Sequence, residues 1–175
     1  VIWSGFAQAR NAEVTWVASR TVERAERFAR EQGIAHWTDD YAQLLAAPDV
    51  DAVYVGMPNY LHEEMAIAAL ARGKHLILTP GIYPIDRTIR VRRDDTVVLG
   101  LGLPTLVPQN GVVAMTVADV PNVGLAGLVF DAGPVNSPVL LKVGNRNAHK
   151  SRPDAPTTLH DVFFRIGGTA AGKAT

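Results

Sequence analysis

The chain has 175 residues, room for one ordinary domain or two small ones, and at 47% hydrophobic and 19% charged it can build a packed core. Lys plus Arg and Asp plus Glu each total 17, a formal net charge of zero, which argues against a non-specific nucleic-acid binder needing a basic surplus. There are no cysteines, so disulfides and thiolate metal sites are excluded, and no apolar run approaches the roughly 18 residues that span a bilayer.

Up to about Leu78 short apolar runs alternate with amphipathic helical stretches, the sequence form of a parallel α/β sheet. Val1 to Arg10 reads as the tail of a helix, and Glu13 to Ala18 as a strand. Thr21 then caps a helix with Val22, Ala25, Phe28 and Ala29 at helical spacing, which Gly33 ends in the left-handed conformation. Ile34 to Trp37 is a short strand candidate. A second helix starts at Thr38 or Asp39, carries Tyr41, Leu44 and Leu45, and closes at Pro48. Ala52 to Val55 has the look of a strand buried on both faces. A helix from about Leu61 to Arg72 ends at Gly73, and the apolar run His75 to Leu78 follows.

After Pro80 the helical period disappears. Short strand-like runs replace it: Thr88 to Val91, Thr96 to Leu99, Ala114 to Ala118, Val123 to Phe130, Val139 to Val143 and Val162 to Ile166. Gly, Pro, Asn and Asp punctuate them. Val98-Leu99-Gly100-Leu101 and Leu125-Ala126-Gly127-Leu128 are similar pieces about one β-helix coil apart. A sandwich fits the punctuation too, but this repeat and the apolar look of the runs favour a right-handed parallel β-helix.

Residues 13 to 78 resemble the NAD(P)-binding domain of the Gfo/Idh/MocA family, the glucose–fructose oxidoreductases and inositol dehydrogenases. The resemblance is carried by VASRTVERAERFAREQGI and by DDYAQLLAAPDVDAVYVGMPNYLHEEMAIAALARGKH, with the loop Pro58-Asn59-Tyr60-Leu61-His62 in the family's P-N-x-x-H position. It implies a Rossmann-like half binding a nicotinamide dinucleotide along the carboxyl ends of its strands. Ser19 and Arg20 then stand where the adenosine ribose is read. A hydroxyl and a guanidinium fork there suit a 2′-phosphate, so NADP is favoured over NAD, although Arg20 reads equally as a solvated residue at a strand end. By the same resemblance Met57, Pro58 and Asn59 line the nicotinamide end, with His62 beside them. Pro-Asn also makes a turn and helix start unaided.

Departures from the family weigh against activity. Nothing like the phosphate-cradling G-x-G-x-x-G precedes Glu13, so the first strand and the pyrophosphate loop are missing and only weak cofactor binding is expected. Where the family carries Glu-Lys-Pro, with the lysine in proton transfer, this chain has Leu78-Thr79-Pro80.

Residues 75 to 175 resemble the pectate-lyase-like β-helix domain of secreted bacterial carbohydrate-processing proteins, through HLILTPGIYPIDRTIRVRRDDTVVLGLG, VPQNGVVAMTVADV and LAGLVFDAGPVNSPVLLKVG. Carbohydrate is the partner this implies. Polysaccharide cleavage needs an acid and a base, and Asp86, Asp94, Asp95, Asp119, Asp131 and Asp161, with His160, are the candidates. Asp94-Asp95, Asp119 and Asp131 read first as turn residues, so no catalytic residue and no metal ligand is assigned.

The expectation is therefore an α/β chain: a partial Rossmann-like parallel sheet over 1–78 joined to partial β-helix coils over 79–175. It is read as an oxidoreductase remnant without a complete active site. The rivals are a carbohydrate-binding or carbohydrate-cleaving β-helix, and a truncated chimera without selected function. The start at Val1 suggests a piece of something longer. With no signal segment visible, a cytoplasmic location is the default and secretion the alternative. No linker separates the halves between Gly73 and Pro80. That predicts an open edge on each core, poor packing across the joint and early proteolysis near residues 73 to 90.

Overall fold

The computed structural model describes residues 5–6, 8–145, 153–167 and 171–175; half of the expected N-terminal helix tail, residues 1–4 and 7, lies outside them. Two compact units divide the chain, Val1–Asp51 and Ala52–Thr175.

In the first unit β1 (Trp16–Ala18) pairs in parallel with β2 (His36–Thr38). Between them runs α1 (Val22–Gln32). Its N-cap Thr21 accepts the Arg24 N–H through Oγ1 (3.4 Å), and its C-cap Gly33 lies at φ 70°. Ala25 and Ala29 are fully buried, so the helical spacing read from the sequence does mark the packed face. The second helix, α2 (Tyr41–Ala46), starts later than expected because Asp40 is the true cap. Its carboxylate accepts the Ala42 N–H at 2.8 Å, while the Thr38 hydroxyl accepts the Asp40 N–H at 2.9 Å. Trp16 stacks on His36 and donates to Asp49 at 3.1 Å.

The second unit is a parallel β-helix. Its first rung is β3 (Ala52–Val55), followed by a 3-10 turn (Asn59–Leu61) and α3 (His62–Ala71). One coil comprises β4 (His75–Leu78), β5 (Ile82–Ile85) and β6 (Ile89–Val91), and the next β7 (Val97–Gly100), β8 (Thr105–Pro108) and β9 (Met115–Val117). The eight-residue β10 (Gly124–Asp131) covers two faces at once, pairing with β7 through Gly124–Ala126 and with β8 through Val129–Phe130. After β11 (Leu141–Val143), β12 (Thr158–Arg165) stacks on β10. One seven-stranded sheet (β3-β4-β7-β10-β8-β5, with β12 on β10) and one three-stranded sheet (β11-β9-β6) result, and every pairing is parallel.

Stacked side chains fill the interior. Val53, Leu76, Val98 and Leu125 form one ladder and Tyr83, Leu106 and Phe130 another, all buried. Each contributes about 1.5–3 kcal/mol by burial. Turns repeat as well. Gly73, Asp95 and Asn122 each stand two residues before a strand of successive coils, and all three are left-handed (φ 71°, 55° and 55°). Only Gly, Asn and Asp adopt that conformation readily, which is why the chain places them there. The two similar glycine-containing pieces are indeed stacked, Val98 on Leu125 and Leu99 on Ala126.

Several expectations need correction. Ala52 is exposed and Tyr54 half-buried, so β3 is not covered on both faces; the coil strands likewise point one face inward. Two further strands, β5 and β8, carry proline, Pro84 within the one and Pro108 at the end of the other, which hides them in the sequence. Pro84 is tolerated because β5 is an edge strand, where a missing N–H breaks no ladder. Asp131 ends a strand instead of forming a turn. At the joint itself the strand is covered, since β4 pairs with β3 on one side and β7 on the other and Leu76 and Leu78 are buried; the open edges lie one strand away, at β3, which ends its sheet, and in the separate β1-β2 pair.

Candidate functional site

Gly56 to Asn59 leave the carboxyl end of β3, and the Pro58 carbonyl accepts the Leu61 N–H at 2.9 Å to close the 3-10 turn that Asn59 opens. Met57 is half-buried and Pro58 exposed, so this loop presents itself at the strand end as the sequence reading requires. His62 does not. It is 2% exposed, with its ring edge-on to Tyr83 (centroids 4.3 Å apart, 80° between planes). So enclosed, it offers no open edge to a ligand.

The surroundings of His62 are polar but not proton-active near neutrality. Burial pushes its imidazole below the ordinary value, the Val55 backbone opposing weakly, and neither ring nitrogen finds a partner of hydrogen-bond geometry among the described residues. Tyr83 donates its hydroxyl to the Thr79 carbonyl and shares a 3.0 Å contact with the Thr79 hydroxyl. Burial raises the phenols of Tyr54 and Tyr83 above their usual range. Thus Thr79, directly after β4 where the resemblance expects a lysine, sits in a pair of neutral hydroxyls. The neighbouring Glu63 is engaged elsewhere: its carboxylate accepts the Asp86 N–H (2.6 Å) and Arg87 Nε (2.7 Å), tying the start of α3 to the β5–β6 turn. Nothing in the sequence signals these contacts, since Glu63 and Arg87 are 24 positions apart.

Ser19 and Arg20 lie in the first unit, between β1 and the α1 cap; Ser19 N–H donates to the Thr38 carbonyl (3.2 Å) and Arg20 is exposed. The chain ahead of β1 carries a single glycine, Gly5, so a glycine-rich pyrophosphate cradle has no counterpart there.

Most of the candidate carboxylates of the β-helix are held in its turns. Asp86 accepts from Asn110 (2.8 Å) and Asp95 from Asn122 (2.7 Å), each one coil further on, and Asp131 pairs with Arg165 (2.5 Å). Asp94 is in a turn and Asp119 in a bend after β9; Asp161, at φ 50°, marks the corner of β12, with His160 exposed beside it. Among the described residues no three His, Asp or Glu side chains form a metal cluster, and no helix is long and apolar enough to cross a membrane.

Comparison with known proteins assigns both parts. The family model of the LAM55 pectate lyase-like domain matches residues 62–175, well over half of the chain. The chain belongs to that family. An exo-β-1,3-glucanase of Streptomyces sp. strain SirexAA-E is 49% identical to this LAM55 protein over 126 residues, 72% of the chain but 21% of the relative. The crystal structure of a variant of that organism's sacteLam55A, in complex with glucose, superposes with a TM-score of 0.66 at 48% identity, covering 70% of the chain and 22% of that structure. The NAD-binding Rossmann fold of the Gfo/Idh/MocA oxidoreductase family matches residues 3–79, so residues 62–79 satisfy both models. A 1,5-anhydro-D-fructose reductase of Ensifer adhaerens is 40% identical over 73 residues, 42% of the chain and 22% of the relative. The LAM55 protein thus spans about one-fifth of the length of these relatives and joins an oxidoreductase-type segment to β-helix coils.

Proposed function

We propose that the chain is an NAD(P)-binding remnant of a sugar or polyol oxidoreductase joined, at about residues 78/79, to the start of a β-helix, with no complete active site. The observation that carries this reading is the Thr79–Tyr83 hydroxyl pair at the position where the resembled family uses a lysine. Burial raises the Tyr83 phenol above its usual range, Thr79 offers a hydroxyl where the family has an amine, and the adjacent imidazole is enclosed. Ser19 and Arg20 in the first unit, and Met57, Pro58 and Asn59 in the second, are residue types that suit NADP or NAD, whereas His62 is enclosed. The fifteen residues of this sequence ahead of β1 hold one glycine and so offer no glycine-rich cradle for the pyrophosphate, which keeps the affinity of this stretch of chain low. Titrating NADPH while following its fluorescence should show no saturation at micromolar concentrations. No sugar or polyol should reduce NAD(P), and the Leu78→Glu, Thr79→Lys variant should stay silent too. Saturable micromolar binding, or turnover by either protein, contradicts this reading.

The 49% identity with an exo-β-1,3-glucanase favours a second reading, in which the β-helix part recognises or cleaves β-glucan and the nucleotide-type segment is incidental. Affinity electrophoresis through gels containing a β-1,3-glucan tests it: retardation supports this reading and free migration rejects it. A cytoplasmic location goes with the first reading, an exported one with the second.

A further inference from the structure

The outer surface of the β6-β9-β11 sheet carries cations in a regular arrangement. In each of these three-residue strands one side chain points outward: Arg90 on β6, Thr116 on β9 and Lys142 on β11, in register across the sheet. One outward position further on, past the Val91–Val117–Val143 rung, come Arg92, Ala118 and Gly144. A trough of small residues (Thr116, Ala118) therefore runs along the middle strand, with Arg90 and Arg92 on one bank and Lys142 on the other. Two strand spacings separate the banks, about 10 Å. Arg90, Arg92 and Lys142 are exposed, and none has a hydrogen bond or ion pair among the described residues. The carboxylates nearest in sequence lie beyond the strand ends: Asp86 before β6, engaged by Asn110, Asp94 and Asp95 in the turn, the latter engaged by Asn122, and Asp119, which also has a partner. In a chain whose formal charges cancel, three unpaired cations on one sheet face are a local concentration of charge.

From this geometry we infer a binding face for an acidic polysaccharide, a linear glycan bearing repeated sulfate or carboxylate groups, laid along β9. The cations diverge across about 10 Å instead of converging on one point, which suits a polymer with spaced charges and not a single small anion. Arginine forks on one bank match planar oxyanions. A nucleic-acid strand fits less well, because none of these outward positions offers an aromatic ring on which a base could stack. The site lies apart from the His62–Thr79–Tyr83 cluster, and it stands whether or not the chain binds a dinucleotide or a neutral glucan.

Affinity electrophoresis of the full chain tests the inference, with sulfated dextran or a polyuronate in the gel against neutral dextran, and single-stranded DNA as competitor. Both acidic glycans should retard the protein in about 0.05 M NaCl and release it by about 0.5 M. The exposed double variant Arg90→Ala, Lys142→Ala should raise the dissociation constant at least tenfold. The charge-matched Arg24→Ala, Arg27→Ala variant on α1 should bind like the parent. Absence of retardation, equal losses in the two double variants, or equally tight capture of DNA would each overturn it.

Discussion

His62 is held neutral by burial, and that has a consequence for acid stability. Its pKa in the folded chain lies below the ordinary imidazole value of 6.5, so the unfolded chain binds its proton first. The contribution is fully present above about pH 6.5 and drains away as pH falls toward the folded value, at up to about 1.4 kcal/mol per pH unit. Tyr54 and Tyr83 act with the opposite sign. Their raised phenols leave stability intact below the ordinary value of 10.0 and remove it as pH rises beyond. Urea midpoints should therefore be flat between about pH 7 and pH 9 and fall on both sides. His62→Phe keeps an aromatic ring against Tyr83 and should lose much of the acid limb. His75, whose Nδ1 accepts the Val97 N–H, is unchanged in both proteins and cancels in the comparison. An acid limb of equal slope in parent and variant would assign the effect to other groups.

Among the elements, the coil corners impose the tightest demand. In β10 the strand turns from one face to the next at Gly127, at φ 66°, and its pairing with β12 skips this residue opposite Asp161, at φ 50°. A Cβ at Gly127 would also strike the Gly100 carbonyl of the preceding coil. Gly127→Ala therefore combines a left-handed cost of about 1–2 kcal/mol with a backbone clash, and should destabilise the unit by roughly 3 kcal/mol or more. Gly33→Ala is the control. Its φ of 70° is similar but open space surrounds it, so it should cost only about 1–2 kcal/mol. Equal melting shifts would mean the close approach of coils is not what selects glycine at 127. These corners also show what the sequence could disclose. Local chemistry was legible: Thr21 and Gly33 bracketed α1, and the glycine-containing repeat gave the stacking of β7 on β10. Strands broken by proline were not, since only the sheet's edge makes Pro84 harmless. Within the candidate site, Met57 and Pro58 could be read from a local motif. The enclosure of His62 by Tyr83 and the Glu63–Arg87 pair join residues more than 20 positions apart and leave no periodic trace.

At the scale of the whole chain, the joint is a shared element instead of a seam. Residues 62–79 satisfy both family models because α3 and β4 obey rules common to both architectures: a parallel strand, preceded by a helix, with alternate residues inward. In the β-helix unit β4 receives β3 as the rung before it and β7 as the rung after, so its backbone groups are paired on both sides. Further ties bind the same stretch. Glu63 holds the Asp86 N–H and Arg87, Arg93 Nη1 donates to the Gly73 carbonyl at 2.8 Å, and Ile85, Ile89 and Val91 are buried. Proteases cut where the chain can unfold locally, which requires few buried side chains and few backbone bonds. Residues 73–90 have many of both. Limited digestion with subtilisin should therefore leave this stretch intact, in a resistant product that begins near residue 52 and runs beyond residue 100. Mass spectrometry of the first products decides it. Early cleavage between residues 73 and 90 would mean that sharing one strand between two families' patterns leaves the junction loose, whatever its pairing.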